Sequence, residues 1–287
     1  MNVDYQKKIK QSSYKFLPIH LQWSGLHVPA SAILFYVVFC RLPDGKAPIN
    51  VFLCIIIGLV VFSVNNMSGF LNTGKPGQVS HAKHVFLKKH RAIFSKVIAV
   101  CLLLSAILSC FIPSHLWKFG AGICLLTAIC LCGGYKIPLQ NSKQALMEPF
   151  IAILYALGVW GCALVSSDFE NLESNITGLV FFLLTLQITL LLSHFEALDR
   201  NTKPGLARWL GKPRTRFVMY IVTILVGIIC TALCLKTEFR YVQRVSVIFM
   251  LITFFQLSIF IKSSKVEKRV HLWMAAEFSV LLPLLLL

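Results

Sequence analysis

Two carboxylates stand three residues apart just after the long apolar run 178–192 ends: Glu196 and Asp199. Residues i and i+3 share one helix face, so both acids can converge on one cation at a membrane surface. Arg200 and Lys203 follow, then a Pro-Gly turn at 204–205. Guanidinium and ammonium groups at such a place suit phosphate oxygens. A second polar stretch closes another apolar run. There Asn65, Asn66, Gly69, Asn72 and Thr73 recur at helical spacing, ahead of Lys75. An Asn at membrane depth is expensive unless it bonds something, whether a ligand or a neighbouring helix. A third stretch, 133–141, holds Tyr135, Pro138, Leu139 and Gln140. His81, His84 and His90 share a basic loop that has no acid or Cys beside them, a poor start for zinc.

These residues must be positioned by helices in lipid. Of the 287 residues, 57% are hydrophobic and only 14% charged, against roughly a quarter charged in soluble domains. The mean hydropathy is +0.75. Apolar runs of about 18 residues or more recur, which predicts a polytopic helical membrane protein. A transmembrane barrel would show short alternating segments instead. Nine spans are expected, near 24–41, 49–70, 93–112, 116–135, 147–166, 175–195, 216–235, 243–262 and 270–287. They form an all-α bundle in a single transmembrane domain, 1–287. The ninth carries Glu277 and could instead lie on the bundle edge. The basic first 15 residues are followed by no short apolar core with a small-residue cleavage site, so no removable signal peptide is expected. The ten cysteines fall in apolar runs and act as small hydrophobes.

The basic residues set orientation. With the N-terminus in the cytoplasm, 22 of the 28 Lys and Arg face inward and six outward, as the positive-inside rule requires. That split accounts for the formal charge of +17 without nucleic acid. The predicted location is an integral, multi-pass membrane protein, which in a bacterium means the inner membrane. Loops 71–92 and 196–215 both face inward, where they can cap one cavity.

Together the three polar stretches resemble the UbiA superfamily of intramembrane prenyltransferases. That family carries Asn-Asp-x-x-Asp-x-x-x-Asp after its second helix. Here Asn65 matches the Asn, and Asn66, Gly69 and Thr73 stand at the three Asp positions. Asp199-Arg200 matches the Asp-Arg of a second acidic motif after the sixth helix, with Gly205 for its later Gly and Glu196 nearest to the other acid. Tyr135, Pro138 and Leu139 match a stretch after the fourth helix, where Gln140 replaces a base. The resemblance implies transfer of an isoprenoid group from a prenyl diphosphate to a lipophilic or aromatic acceptor at the cytoplasmic face. It implies Mg²⁺ on Glu196 and Asp199 as the catalytic pair. Asn65, Asn66, Lys75, Tyr135, Arg200 and Lys203 would bind substrate. The first motif has no carboxylate, which weakens a two-metal site, since Mg²⁺ is held through carboxylates and phosphates. Three alternatives stay open: a terpene cyclase of the same type, a non-catalytic relative that binds lipid or quinone or serves a larger complex, and a small transporter.

Overall fold

The structure, a computed structural model, describes residues 24–73, 86–87, 89–136, 143–166, 172–197, 205–263 and 269–286, with the side chains of 71–73, 134–136, 143–144 and 269–271 excepted. The described residues are helical throughout, joined by turns, with no strand among them. In lipid each backbone polar group must be satisfied within its own segment, which leaves helices for a chain of long apolar runs.

The elements run α1 (His27–Cys40), α2 (Val51–Thr73), α3 (Arg91–Ser109), α4 (Ser114–Lys136), α5 (Lys143–Ala156), a π turn (Leu157–Gly161), α6 (Cys162–Ser166), α7 (Leu172–Ala197), α8 (Leu206–Leu210), α9 (Lys212–Lys236), α10 (Arg240–Lys262), α11 (Arg269–Ser279) and a 3₁₀ turn (Leu282–Leu286). Residues 145–166 form one span, with the π turn widening the helix at Gly158 and Gly161. Seven helices are long and apolar enough to cross a membrane. The chain therefore forms a multi-pass helical membrane bundle. Two of the nine expected spans differ. The first has 14 helical residues, α1, and the ninth has the 11-residue α11 ending in the 3₁₀ turn. At 1.5 Å per residue these reach about 21 and 16 Å, short of a hydrocarbon core about 30 Å thick.

Burial ranks the helices. Of the apolar stretch of α7, 56% is buried, and of α10, 50%, against 11% for α3 and 6% for α4. So α7 and α10 lie at the centre, and α3 and α4 turn Leu, Ile and Val side chains outward, toward lipid. The principal neighbours of α2 are α1, α3 and α4, whereas α7 packs on α5, α8, α9, α10 and α11. The larger core gathers around Phe35, Phe39, Phe181 and Phe249, whose rings meet at centroid distances of 4.5–6.5 Å. A smaller core, around Leu190, Phe195, Leu206, Met219 and Phe260, sits under the turn into α8. Between them lies a polar clamp of three central helices. Gln187 Nε2 donates to Thr223 Oγ1 and to the Thr253 carbonyl, both at 3.1 Å, and the Thr253 hydroxyl donates back to Gln187 Oε1. All ten cysteines are free thiols, as their apolar surroundings led us to expect.

Candidate functional site

Asn66 lies 15 residues into α2, about 22 Å along its axis, and has no exposed surface. Its Nδ2 donates to the Phe62 carbonyl, one turn back, at 3.0 Å and to the Ser24 carbonyl at 3.4 Å. Those two acceptors fix the amide orientation. They leave Oδ1 buried with no partner among the described residues, and the neighbouring Asn65 Nδ2 is buried in the same condition. One acceptor and one donor thus stand ready at the membrane-depth end of α2. Buried polar atoms are nearly always paired, so each such exception asks for an explanation.

Glu196 sits half-buried on the last turn of α7. A chain of contacts joins this turn to Asn66. The Ser24 carbonyl that receives Asn66 lies three residues before His27. His27 Nε2 is 3.6 Å from Glu277 Oε2, with both side chains largely buried. Glu277 Oε1 accepts the indole N–H of Trp273 at 2.8 Å. The Trp273 ring stacks on Phe195 at 5.7 Å, one residue before Glu196. Asn66 and Glu196 therefore belong to the same end of the bundle, with α1 and α11 bridging them.

The turn after α7 is anchored by side chains. Glu148 Oε2 accepts the Leu206 N–H and Ser193 Oγ accepts the Ala207 N–H, each at 3.0 Å. These satisfy two of the orphan donors that open α8. Gly205 makes room for both anchors, since a Cβ there would stand 2.5 Å from Ser193 Oγ and 2.8 Å from Glu148 Oε1. Close by, His194 Nε2 meets Ser263 Oγ at 3.1 Å, while the Ser263 proton goes to the Phe260 carbonyl. The imidazole is therefore the donor of that pair.

The other expected site residues divide. Asp199, Arg200, Lys203 and Lys75 lie outside the described residues, as do His81 and His84. Tyr135 belongs to the last turn of α4, and its side chain lies outside the described residues. Gly69, which stands at an Asp position of the family motif, is covered by Leu87: a Cβ there would lie 2.7 Å from Leu87 Cδ1, and Leu87 is wholly buried. That position packs against protein. Glu277 is an interior residue of the bundle rather than an edge one. Its partner His27 escaped the sequence reading. The clue was available, because a buried acid needs a partner and His27 is the only His within the first span.

Among the described residues no group of three His, Cys, Asp or Glu side chains could hold a metal. The Glu196 carboxylate and Asn66 Oδ1 are oxygens of the kind that Mg²⁺ takes. In comparisons with known proteins, no family model, no curated protein and no solved structure matches the chain.

Proposed function

We propose that this chain handles an isoprenoid diphosphate at the cytoplasmic end of its bundle, as a UbiA-like membrane prenyltransferase. The observation that carries the reading is the pair of buried carboxamide atoms, Asn65 Nδ2 and Asn66 Oδ1, that have no hydrogen-bond partner among the described residues and lie at the same end of the bundle as Glu196. A polyprenyl tail would lie along the apolar faces of the helices. In this reading α1 and the α11–3₁₀ unit are the first and ninth members of the nine-helix framework.

The residues divide the work by charge. Glu196 occupies the C-terminal turn of α7, where the helix dipole disfavours a carboxylate. A cation beside it offsets that cost. Mg²⁺ held by Glu196 and Asp199 would neutralise the diphosphate as the allylic C–O bond weakens. Arg200, Lys203 and Lys75 grip phosphate oxygens, and such preorganised donors stabilise a departing diphosphate. Asn65 donates to a phosphate oxygen through Nδ2. Tyr135 would bind substrate, and the acceptor would be a lipophilic or aromatic molecule entering from the bilayer.

Membranes carrying the wild type or Asp199→Asn, supplied with labelled prenyl diphosphates and Mg²⁺, test the reading. Turnover that falls at least about a hundredfold in the variant is expected. Equal turnover in both refutes the role of Asp199. The burial of Gly69 beneath Leu87 favours a second reading, a non-catalytic relative that binds lipid or quinone. Mg²⁺-dependent diphosphate release by the purified protein decides between them.

A further inference from the structure

We infer that Glu277 is a positioning residue: through His27 and Trp273 it sets the spacing between the two polar helix ends, Asn66 on α2 and Glu196 on α7. This rests on the prenyl diphosphate reading. A carboxylate within a membrane bundle is costly and is retained where it serves function. Glu277 is such a group, with 13% of its side chain exposed.

The two oxygens of Glu277 point in different directions: Oε1 accepts a hydrogen bond, and Oε2 lies in ion-pair range of an imidazole, beyond hydrogen-bond distance. Oε2 faces His27 on the first turn of α1, and the Phe278 ring tilts against the same imidazole at 6.0 Å. That turn follows Gly25, whose φ of +71° reverses the chain. It presents the Ser24 carbonyl to Asn66 Nδ2. With the Phe62 carbonyl, the Ser24 carbonyl sets which way the Asn66 amide turns, and so where Oδ1 aims. Oε1 holds the Trp273 indole, one helical turn back on the same face of α11. The indole stacks on Phe195, next to Glu196. A single carboxylate thus braces the helix ends on both sides of the site without touching substrate. The chain's last helix acts as a strut between its second and sixth spans.

The deciding variant is Glu277→Gln, which keeps a carbonyl oxygen for Trp273 and removes the charge facing His27. It is assayed in nanodiscs with a labelled prenyl diphosphate, alone and combined with Asn66→Ala. Glu277→Gln is expected to lower kcat/KM about tenfold, the scale on which supporting partners act. The loss should lie in kcat, with an unchanged melting temperature. The double variant should be no worse than the poorer single variant, because Glu277 works through Asn66. Losses that multiply in the double variant overturn the inference and leave the prenyl reading standing. So does unchanged turnover per folded protein alongside a lowered melting temperature, which marks a purely structural role. A wild-type protein with no turnover removes both.

Discussion

Replacing Asn66 by Leu separates a functional buried amide from a structural one by the sign of its effect on stability. The two side chains branch at the same atom, so the exchange nearly keeps shape. In the wild type Oδ1 is buried without a partner among the described residues, a condition costing about 1–3 kcal/mol. Leu removes that cost. It also removes two hydrogen bonds from Nδ2. The one to Phe62 shares a carbonyl that already serves the helix ladder, and the one to Ser24 is long at 3.4 Å. Together these contribute about 1 kcal/mol. The two methyl groups that take their place add little, because lipid is as apolar as the bundle interior. The net expectation is a variant about 1 kcal/mol more stable, which raises the melting temperature by about 2 °C. Turnover of prenyl diphosphate should fall at least tenfold in the same preparation. Thermal unfolding in detergent and a labelled-substrate assay measure the two effects on one sample. A melting temperature lowered by several degrees with turnover intact would show that Asn66 serves helix packing, and would refute the assignment of Oδ1 to a ligand.

Other outcomes follow from the same geometry. Gln187→Leu strips the clamp between α7, α9 and α10; it should cost about 1–2 kcal/mol, since interhelical hydrogen bonds in membranes average near 0.6 kcal/mol each, read as a lower denaturation midpoint. Glu148→Ala frees the Leu206 N–H at a cost of about 1 kcal/mol, so amide exchange at Leu206 should accelerate while that within α9 stays unchanged.

The amino-acid sequence by itself determined that this is a helical membrane bundle. Long apolar runs with few charges admit hardly any other solution in lipid, because each helix satisfies its own backbone. Seven of the nine expected span positions were legible for the same reason. The two exceptions are instructive. The runs at 24–41 and 270–287 are apolar enough to suggest spans, yet the helices they form have 14 and 11 residues, with Gly25 before the first and a 3₁₀ turn after the second. Hydropathy records composition and carries no information on how a chain turns at a helix end.

Side-chain partnerships were decided by tertiary structure alone. His27 and Glu277 lie at opposite ends of the chain, and Asn66 meets a backbone carbonyl 42 residues away. Glu148 reaches an amide 58 residues away to anchor the turn before α8. Such pairs depend on which helix faces which, and that is set by packing among helices whose apolar faces are nearly interchangeable in sequence. Gly69 makes the point from the other side: it stands where the resembled family has an Asp, and Leu87 packed over it leaves no room for a longer side chain. The sequence specified polar groups at the helix ends, because each is expensive in lipid. Only the folded bundle determined which were satisfied by protein, and that Asn65 Nδ2 and Asn66 Oδ1 have no partner among the described residues.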